Sequence, residues 1–428
     1  MTKLALFGFL GAMAIAWLVV SARRPRDGLI TLLTFSMFSL DALPWQLIPL
    51  KGAALGLQAG AMGLAGLYWL TRRKQNGRLI ATPYALALVA FWLVLLVYSV
   101  IPAPSMYGLE KSALFLFKVL LPVGAFALLA PFERRDARLM VATLIVAGML
   151  MALNIMAFSN LNLDRAILRD DVGPIALARV LGEGMTVALA LAIGFSGSRW
   201  LERLLCLAVM PLMGFALMLS GTRGPVVALA VAAVGGFLCV HDGWARKLKA
   251  LACVALVAGV GVAALQLSPV DLDQYAGFKR LQEHLADIGN NRSDYGRIQR
   301  EEIALASIQD SQALGIGTGG FSALCNEDGR EYPHNCVLEV ATEQGVVGLL
   351  PLLLIFALAL GRLMVVSRRM RDDPYTKALF CIWFYWLCNA MVSSDLPGNA
   401  GLWIIGALPW MFTPAPAEAA AQAIPVTN

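Results

Sequence analysis

Long apolar runs recur along the whole chain, and few of them contain a charged residue. A helix needs about 17–25 such residues to cross the hydrocarbon core of a bilayer. Because a spanning segment must satisfy its own backbone hydrogen bonds, these runs predict an all-α polytopic membrane protein. The runs are continuous rather than alternating apolar with polar residues, so they do not resemble the strands of a membrane β-barrel.

The composition supports this class. Of 428 residues, 59% are apolar and 14% are charged, whereas an average soluble domain has about 45–50% and about 25%. A soluble globular enzyme, a disordered protein and a small disulfide scaffold are excluded on this ground. The formal net charge of +6 is explained by basic loops between the runs, so we expect no nucleic-acid partner.

The apolar runs predict twelve transmembrane helices, with thirteen as the alternative. They cover residues 4–20, 29–49, 53–70, 84–101, 112–131, 139–158, 175–196, 204–220, 225–240, 250–267, 345–366, 378–394 and 398–413. The run at 29–49 is weak because it contains Asp41, Pro44 and Pro49. If it does not span, both termini lie on the same side.

One long polar segment interrupts the series before the last two or three spans. It divides the chain into the N-terminal part of the bundle at 1–267, a helical loop domain at 268–344, C-terminal transmembrane helices at 345–413 and a tail at 414–428. Within the loop domain, Ser293–Ser311 is predicted to be an amphipathic helix. The tail is rich in Ala and Pro, and we expect it to be disordered.

The basic residues predict the orientation. Nineteen of the 34 lie in six alternate loops: Arg23, Arg24, Arg26; Arg72, Arg73, Lys74, Arg78; Arg134, Arg135, Arg138; Arg199, Arg203; Arg246, Lys247, Lys249; and Arg368, Arg369, Arg371, Lys377. The positive-inside rule places these loops in the cytoplasm. The loop domain at 268–344 is then expected on the opposite side of the membrane.

Two short patterns in the loop domain are weak. Gly315, Gly317 and Gly320 match the letters GxGxxG, but no βαβ unit surrounds them, so we interpret them as a glycine turn. Asp271 and Asp273 match a DxD pattern that arises often by chance. We therefore predict neither a metal nor a cofactor.

The loop domain also contains two of the seven cysteines, Cys325 and Cys336. In an oxidising compartment they could form a disulfide, and otherwise they remain two thiols. The other five lie in or beside apolar runs and are expected to be core residues.

Arg223 lies in a tight turn, Ser220–Gly224, between two spans. A turn this short stays at lipid-headgroup depth on the outer side. One interpretation is a snorkelling anchor for the helix end. The other is a ligand for an anionic headgroup, because the planar guanidinium binds phosphate through two hydrogen bonds.

Arg297, Arg300 and His334 are the other candidates in the loop domain. Arg297 either binds an anion or pairs with Glu301 on the amphipathic helix, and Arg300 is open to both interpretations. His334 is either structural or a functional base or cation. His334 and Asn335 lie at a predicted helix start, where Pro333 suits the first turn. That helix is expected to continue through Glu339 and Glu343 into the span beginning near Gly345.

These segments together resemble the O-antigen ligase family, which shares its fold with O-antigen polymerases and some protein-O-oligosaccharyltransferases. The resemblance rests on SGTRGP at Ser220–Pro225, on Gly296-Arg297 followed by GIGTGGF at Gly315–Phe321, and on PHNCVLE at Pro333–Glu339 with EQG at Glu343–Gly345. It extends to the layout of many spans with one large outer loop.

The resemblance implies a metal-independent glycosyltransferase of the bacterial inner membrane with a periplasmic active site. Its expected partners are an undecaprenyl-diphosphate-linked glycan donor, a lipid A–core acceptor and membrane lipids. It implies that Arg223 and Arg297 bind the diphosphate and that His334 is catalytic. Arg169, Arg300, Asn335 and Asp395 are expected to bind substrate.

Three alternatives remain open. An O-antigen polymerase or a protein-O-oligosaccharyltransferase would use the same lipid-linked donor. A secondary transporter is a different class, favoured by Lys118 and Arg179 within spans. Transporter sites, however, usually lie at the midplane between repeated halves, and we find no internal repeat.

Overall fold

The computed structural model describes residues 2–38, 42, 53–76, 82–101, 105–158, 174–194, 199–240, 243–266, 275, 278–279, 282–283, 292–325, 332–369 and 373–412. Within these ranges, all regular secondary structure is helical apart from an isolated bridge between Phe132 and Phe412. The predicted all-α class is confirmed for this part of the chain.

The described residues form seventeen α-helices. They are α1 Thr2–Arg23, α2 Pro25–Phe38, α3 Ala53–Asn76, α4 Pro83–Tyr98, α5 Met106–Phe115, α6 Leu121–Leu129, α7 Arg134–Phe158, α8 Pro174–Leu189, α9 Trp200–Leu219, α10 Arg223–Val240, α11 Trp244–Gln266, α12 Arg292–Asp310, α13 Phe321–Leu324, α14 Cys336–Glu343, α15 Gly345–Arg369, α16 Pro374–Val392 and α17 Ala400–Ala407. A π-helical turn joins α5 to α6.

Six segments among the described residues are long and apolar enough to cross a membrane. They are Leu6–Arg23, Met106–Leu129, Arg134–Phe158, Pro174–Ile193, Trp200–Leu219 and Gly345–Arg369, and two shorter apolar helices cover Pro83–Tyr98 and Arg223–Gly236. The chain thus has the helices of a multi-pass membrane protein. Twelve or thirteen spans and a periplasmic loop domain stay predictions.

Helix α16 forms the centre of the bundle and packs against α7, α8 and α10. Glycines on its neighbours allow this close approach. A Cβ atom on Gly182 would lie 2.1 Å from the hydroxyl of Tyr385, and one on Gly236 would lie 2.6 Å from the Cys381 sulfur. Small residues serve helix packing in membranes because they let backbones come near each other.

The two ends of α16 differ in chemistry. Before its start, Asp373 pairs with Arg134, and this end also holds the pair between Arg26 and Asp136 at 2.9 Å. Beyond its other end lies Asp395. The helix has 19 residues, so the two ends are about 28 Å apart at 1.5 Å per residue.

The glycine-rich segment is a turn, as interpreted from the sequence. Gly315 and Gly317 have φ of +86° and +100°, which glycine adopts without a side-chain clash. The amide of Gly317 donates to the carbonyl of Glu343 at 2.9 Å, and that of Thr318 donates to Tyr98 at 2.8 Å. The turn therefore caps α14 and fastens it to the end of α4.

The expected continuous helix from Pro333 into the last spans is wrong. Helix α14 begins at Cys336 and ends at Glu343, and α15 starts anew at Gly345 with φ of +61°. The break exists because the glycine turn occupies this position: the amide of Val346 donates to the carbonyl of Ala313 at 2.9 Å. The chain must bend to meet it.

Candidate active site

Arg223 is the first residue of α10 and follows the tight turn at the end of α9. The hydroxyl of Ser220 donates to the Leu217 carbonyl at 2.6 Å and lies 2.8 Å from the hydroxyl of Thr222. Gly221 takes φ of +61°. Because the turn satisfies its own polar groups, it can be short, and it holds the half-buried guanidinium at the end of the bundle.

Helix α12 supplies Arg297 and Arg300, and the helix predicted at Ser293–Ser311 is confirmed as Arg292–Asp310. The two side chains are three residues apart and share a face. Arg300 donates to the carbonyl of Gly296 at 3.2 Å. Burial lowers the pKa of Arg297, and the nearby Glu301 carboxylate opposes this change. Both arginines are partly buried.

His334 lies in the loop before α14, with φ of +61°. Its ring meets the edge of Tyr332 at a centroid distance of 4.6 Å. Burial, with the positive charges of Arg297 and Arg300, lowers the pKa of His334 to about 4. The imidazole is therefore neutral near pH 7, in the form that accepts a proton.

The Nδ1 atom of His334 is buried and makes no hydrogen bond within the described ranges. A buried polar atom without a partner costs free energy, so it is a position where an external partner would be accommodated. Asn335 is used locally: its Oδ1 accepts from the amides of Val337 at 3.0 Å and Leu338 at 3.2 Å. This is an N-cap for α14, and a substrate role for Asn335 stays a prediction.

These residues form one electrostatic cluster from three separate segments. The charge of Arg297 acts on Arg223, and the charges of Arg297 and Arg300 act on His334. Three cations near a neutral imidazole repel one another, and a bound anion would relieve that repulsion. The cluster therefore suits a phosphate-bearing ligand.

The helix that follows His334 takes part in a buried ion cluster that the sequence did not predict. The Lys111 ammonium is 2.7 Å from Glu339 and 2.8 Å from Glu343, and all three side chains are fully buried. The Glu343 carboxylate also accepts from Gln344 at 3.3 Å. The cluster ties α14, and hence the loop with His334, to α5.

Asp395 lies beside this cluster. It accepts from the amide of Gly398 at 2.9 Å and from the hydroxyl of Tyr107 at 3.3 Å. Its charge also acts on Glu339. These contacts place Asp395 near α14, and its substrate-binding role stays a prediction.

Arg179 holds the chain that carries Asp395. Its guanidinium donates to the carbonyls of Ser393 and Gly398 and to Oδ1 of Asn399, each at 3.0 Å. It also lies over the ring of Trp386 at 5.3 Å. A structural role thus accounts for this intramembrane arginine, which weakens one argument for a transporter.

The remaining sequence predictions have mixed outcomes. Arg169, Asp271 and Asp273 lie outside the described residues. Cys336 is a buried free thiol, so it does not pair with Cys325.

The composition and residue spacing of the sequence give no signal for the Lys111 cluster, because its partners come from distant segments.

A family model described as O-antigen ligase matches residues 208–353. The matched region, about a third of the chain, contains Arg223, Arg297 and His334, and it confirms the resemblance drawn from the motifs. No curated protein matches the chain. The match and the apolar helices support a multi-pass membrane enzyme of the ligase or polymerase type.

Proposed function

We propose that this chain is an O-antigen ligase. It transfers O-antigen polysaccharide from undecaprenyl diphosphate to lipid A–core oligosaccharide at the periplasmic face of the inner membrane. The observation that carries the proposal is the convergence of Arg223, Arg297 and the neutral imidazole of His334 from three segments. The donor supplies an activated glycosyl diphosphate, so neither nucleotide nor metal enters the reaction.

The arginines bind the donor diphosphate. Each guanidinium offers a planar pair of donors to phosphate oxygens. When the bond from the anomeric carbon to the diphosphate oxygen breaks, negative charge grows on the leaving group. Arg223 and Arg297 stabilise that charge without having to reorganise, because the turn and helix α12 already hold them.

His334 takes the proton from the acceptor. The acceptor hydroxyl oxygen forms the new bond to the anomeric carbon, its proton passes to the imidazole, and undecaprenyl diphosphate departs. Attack opposite the diphosphate inverts the anomeric configuration. The low pKa of His334 supports the base role over the cationic one, because it keeps the ring neutral before the donor binds.

The test is reconstitution of the purified chain with undecaprenyl-diphosphate glycan and lipid A–core. We expect glycosylated lipid A–core without added metal or nucleotide, and its loss in Arg223→Ala, Arg297→Ala and His334→Ala. Lys279→Ala is the matched control, because Lys279 is an exposed cation in the same outer segment. Product formation that is unaffected by all three site variants would reject the assignment.

A gene deletion separates the remaining functions. Loss of a ligase leaves polymerised glycan on the carrier lipid and bare lipid A–core. Loss of a polymerase leaves a single repeat unit attached to the core. Flux of the lipid-linked glycan in proteoliposomes that lack any acceptor would indicate the transporter instead.

A further inference from the structure

A polar cavity lies at the other end of the bundle from His334. Its volume is about 600 Å³, and it is lined by Glu133, Arg134, Arg135, Arg138, Arg199 and Tyr375. Tyr375 is near the start of α16, whereas the candidate active site lies beyond the end of that helix. The cavity is thus separated from His334 by about the length of α16, and the proposed transfer reaction does not use it.

The arginines face the cavity, and their carboxylate partners lie behind them. The side chains of Arg134, Arg135 and Arg138 are 54%, 44% and 49% exposed, whereas their partners Asp373, Asp27 and Glu202 are 5%, 7% and 17% exposed. A guanidinium has five donors, so one carboxylate leaves others available. The buried acids hold the arginines in place, and the cavity wall presents four arginines beside one exposed carboxylate, Glu133.

The helix starts beside the cavity are already capped by acidic side chains. Helices α7, α9 and α16 begin at Arg134, Trp200 and Pro374, and Asp136, Glu202 and Asp373 accept from backbone amides at these starts. The exposed guanidinium groups, rather than the helix ends, therefore attract an anion. The cavity volume lies within the usual range for ligand pockets.

The adjoining surface is suited to lipid chains. Helix α9 starts with Trp200, which is 73% exposed, and continues with exposed Leu201, Leu204 and Leu205. Tryptophan is enriched where the membrane meets water, so Trp200 indicates that the cavity lies at headgroup level. A polar cationic cavity above an exposed apolar stripe matches an amphiphile with a phosphate headgroup.

We propose that this cavity binds the headgroup of an anionic phospholipid, with the acyl chains lying along α9. The phosphate contacts Arg138 and Arg199, and the chains contact Leu201 and Leu205. The site is independent of the glycan donor. Basic pockets between transmembrane helices are known to favour such headgroups.

The test uses the full chain in detergent with no glycan substrate present. Retained lipids are counted by native mass spectrometry while phosphatidylglycerol or phosphatidylcholine is titrated. We expect phosphatidylglycerol to bind at least roughly tenfold more tightly, and Arg199→Gln to lose about tenfold, the scale of one charge-assisted hydrogen bond. Arg199→Lys should retain part of the preference, because it keeps the charge.

Arg368→Gln is the matched control, because Arg368 is an exposed arginine in the last turn of α15 that does not line the cavity. Equal binding of the two lipids would overturn the proposal, as would an equal loss in Arg368→Gln. A third titration uses inorganic phosphate. If it competes with phosphatidylglycerol at equal concentration and depends on Arg199, the site takes a soluble anion and the lipid assignment is wrong.

Discussion

Lys111 and Glu339 form an ion pair of 2.7 Å in which neither side chain is exposed. Lys111 belongs to α5 and Glu339 to α14, so the pair joins the bundle to the short helix that follows His334. Glu343 shares the same ammonium at 2.8 Å. The loop that carries the proposed base is thus followed by a helix that a fully buried ion pair holds in place.

Replacing Lys111 with methionine should destabilise the protein by about 3–5 kcal/mol, because two buried carboxylates lose their counter-ion. Transfer activity should fall as the His334 loop loses its anchor. The measurement is thermal unfolding in detergent beside the transfer assay. Lys118→Met is the matched control, since Lys118 is an exposed lysine on the same segment, and it should change stability by less than about 0.5 kcal/mol.

The pH dependence of the transfer reaction should show the titration of His334. Its folded-state pKa is lowered to about 4, so the free enzyme keeps the base form at all pH values above that. We therefore expect kcat/KM, which reports the free enzyme, to stay flat from pH 8 to about 5 and to fall as pH approaches 4. A bound diphosphate opposes the arginine charges and raises the pKa, so kcat should fall at a higher pH. A kcat/KM profile with a midpoint near 6.5 would contradict this.

Replacing an arginine of the site should raise the stability of the free protein and lower its affinity for the donor. Arg297→Gln removes a partly buried charge, which burial disfavours more than Glu301 favours it, and a repulsion with Arg223. The free protein should therefore unfold at a higher temperature. Donor affinity should fall about tenfold to hundredfold, because each charge-assisted hydrogen bond contributes about 1.5–3 kcal/mol. The double variant Arg223→Gln/Arg297→Gln should lose less than the sum, since both arginines bind one diphosphate. Additive losses would indicate separate sites.

Two glycines of α15 should respond differently to alanine. A Cβ atom on Gly345 would lie 2.2 Å from the carbonyl oxygen of Ala313, and the residue has φ of +61°. Gly345→Ala should therefore destabilise by about 1–3 kcal/mol. Gly361 has open space around it, and Gly361→Ala should be neutral or stabilise the helix by about 0.5–1 kcal/mol. Thermal unfolding of the two variants measures the difference in stability between them. Equal effects would show that the backbone around Gly345 shifts to accommodate the added methyl group.

Much of the fold is predictable because it depends on local properties. Apolar runs indicate helices that can cross a membrane, and the polar periodicity of Ser293–Ser311 indicates the helix found at Arg292–Asp310. The turn containing Arg223 is likewise evident from its length and its glycines. In each case a few neighbouring residues determine the conformation.

The break at Gly345 shows where local patterns fail. Residues from Pro333 onward have the composition of one continuous helix, but the carbonyl of Ala313 accepts from Val346 and forces a bend. The competing contact comes from a turn more than twenty residues earlier. Hydrophobic periodicity contains no information about it.

The class of protein, most helices and the chemical types available for a site can all be predicted from the chain, since they follow from residues near one another along it. Folding in three dimensions was needed to show that Lys111 and Glu343, which are 232 residues apart, share a buried contact. It was also needed to show that burial, together with the charges of Arg297 and Arg300, lowers the pKa of His334. Burial and charge–charge interaction depend on distance in space, and packing alone brings these groups together.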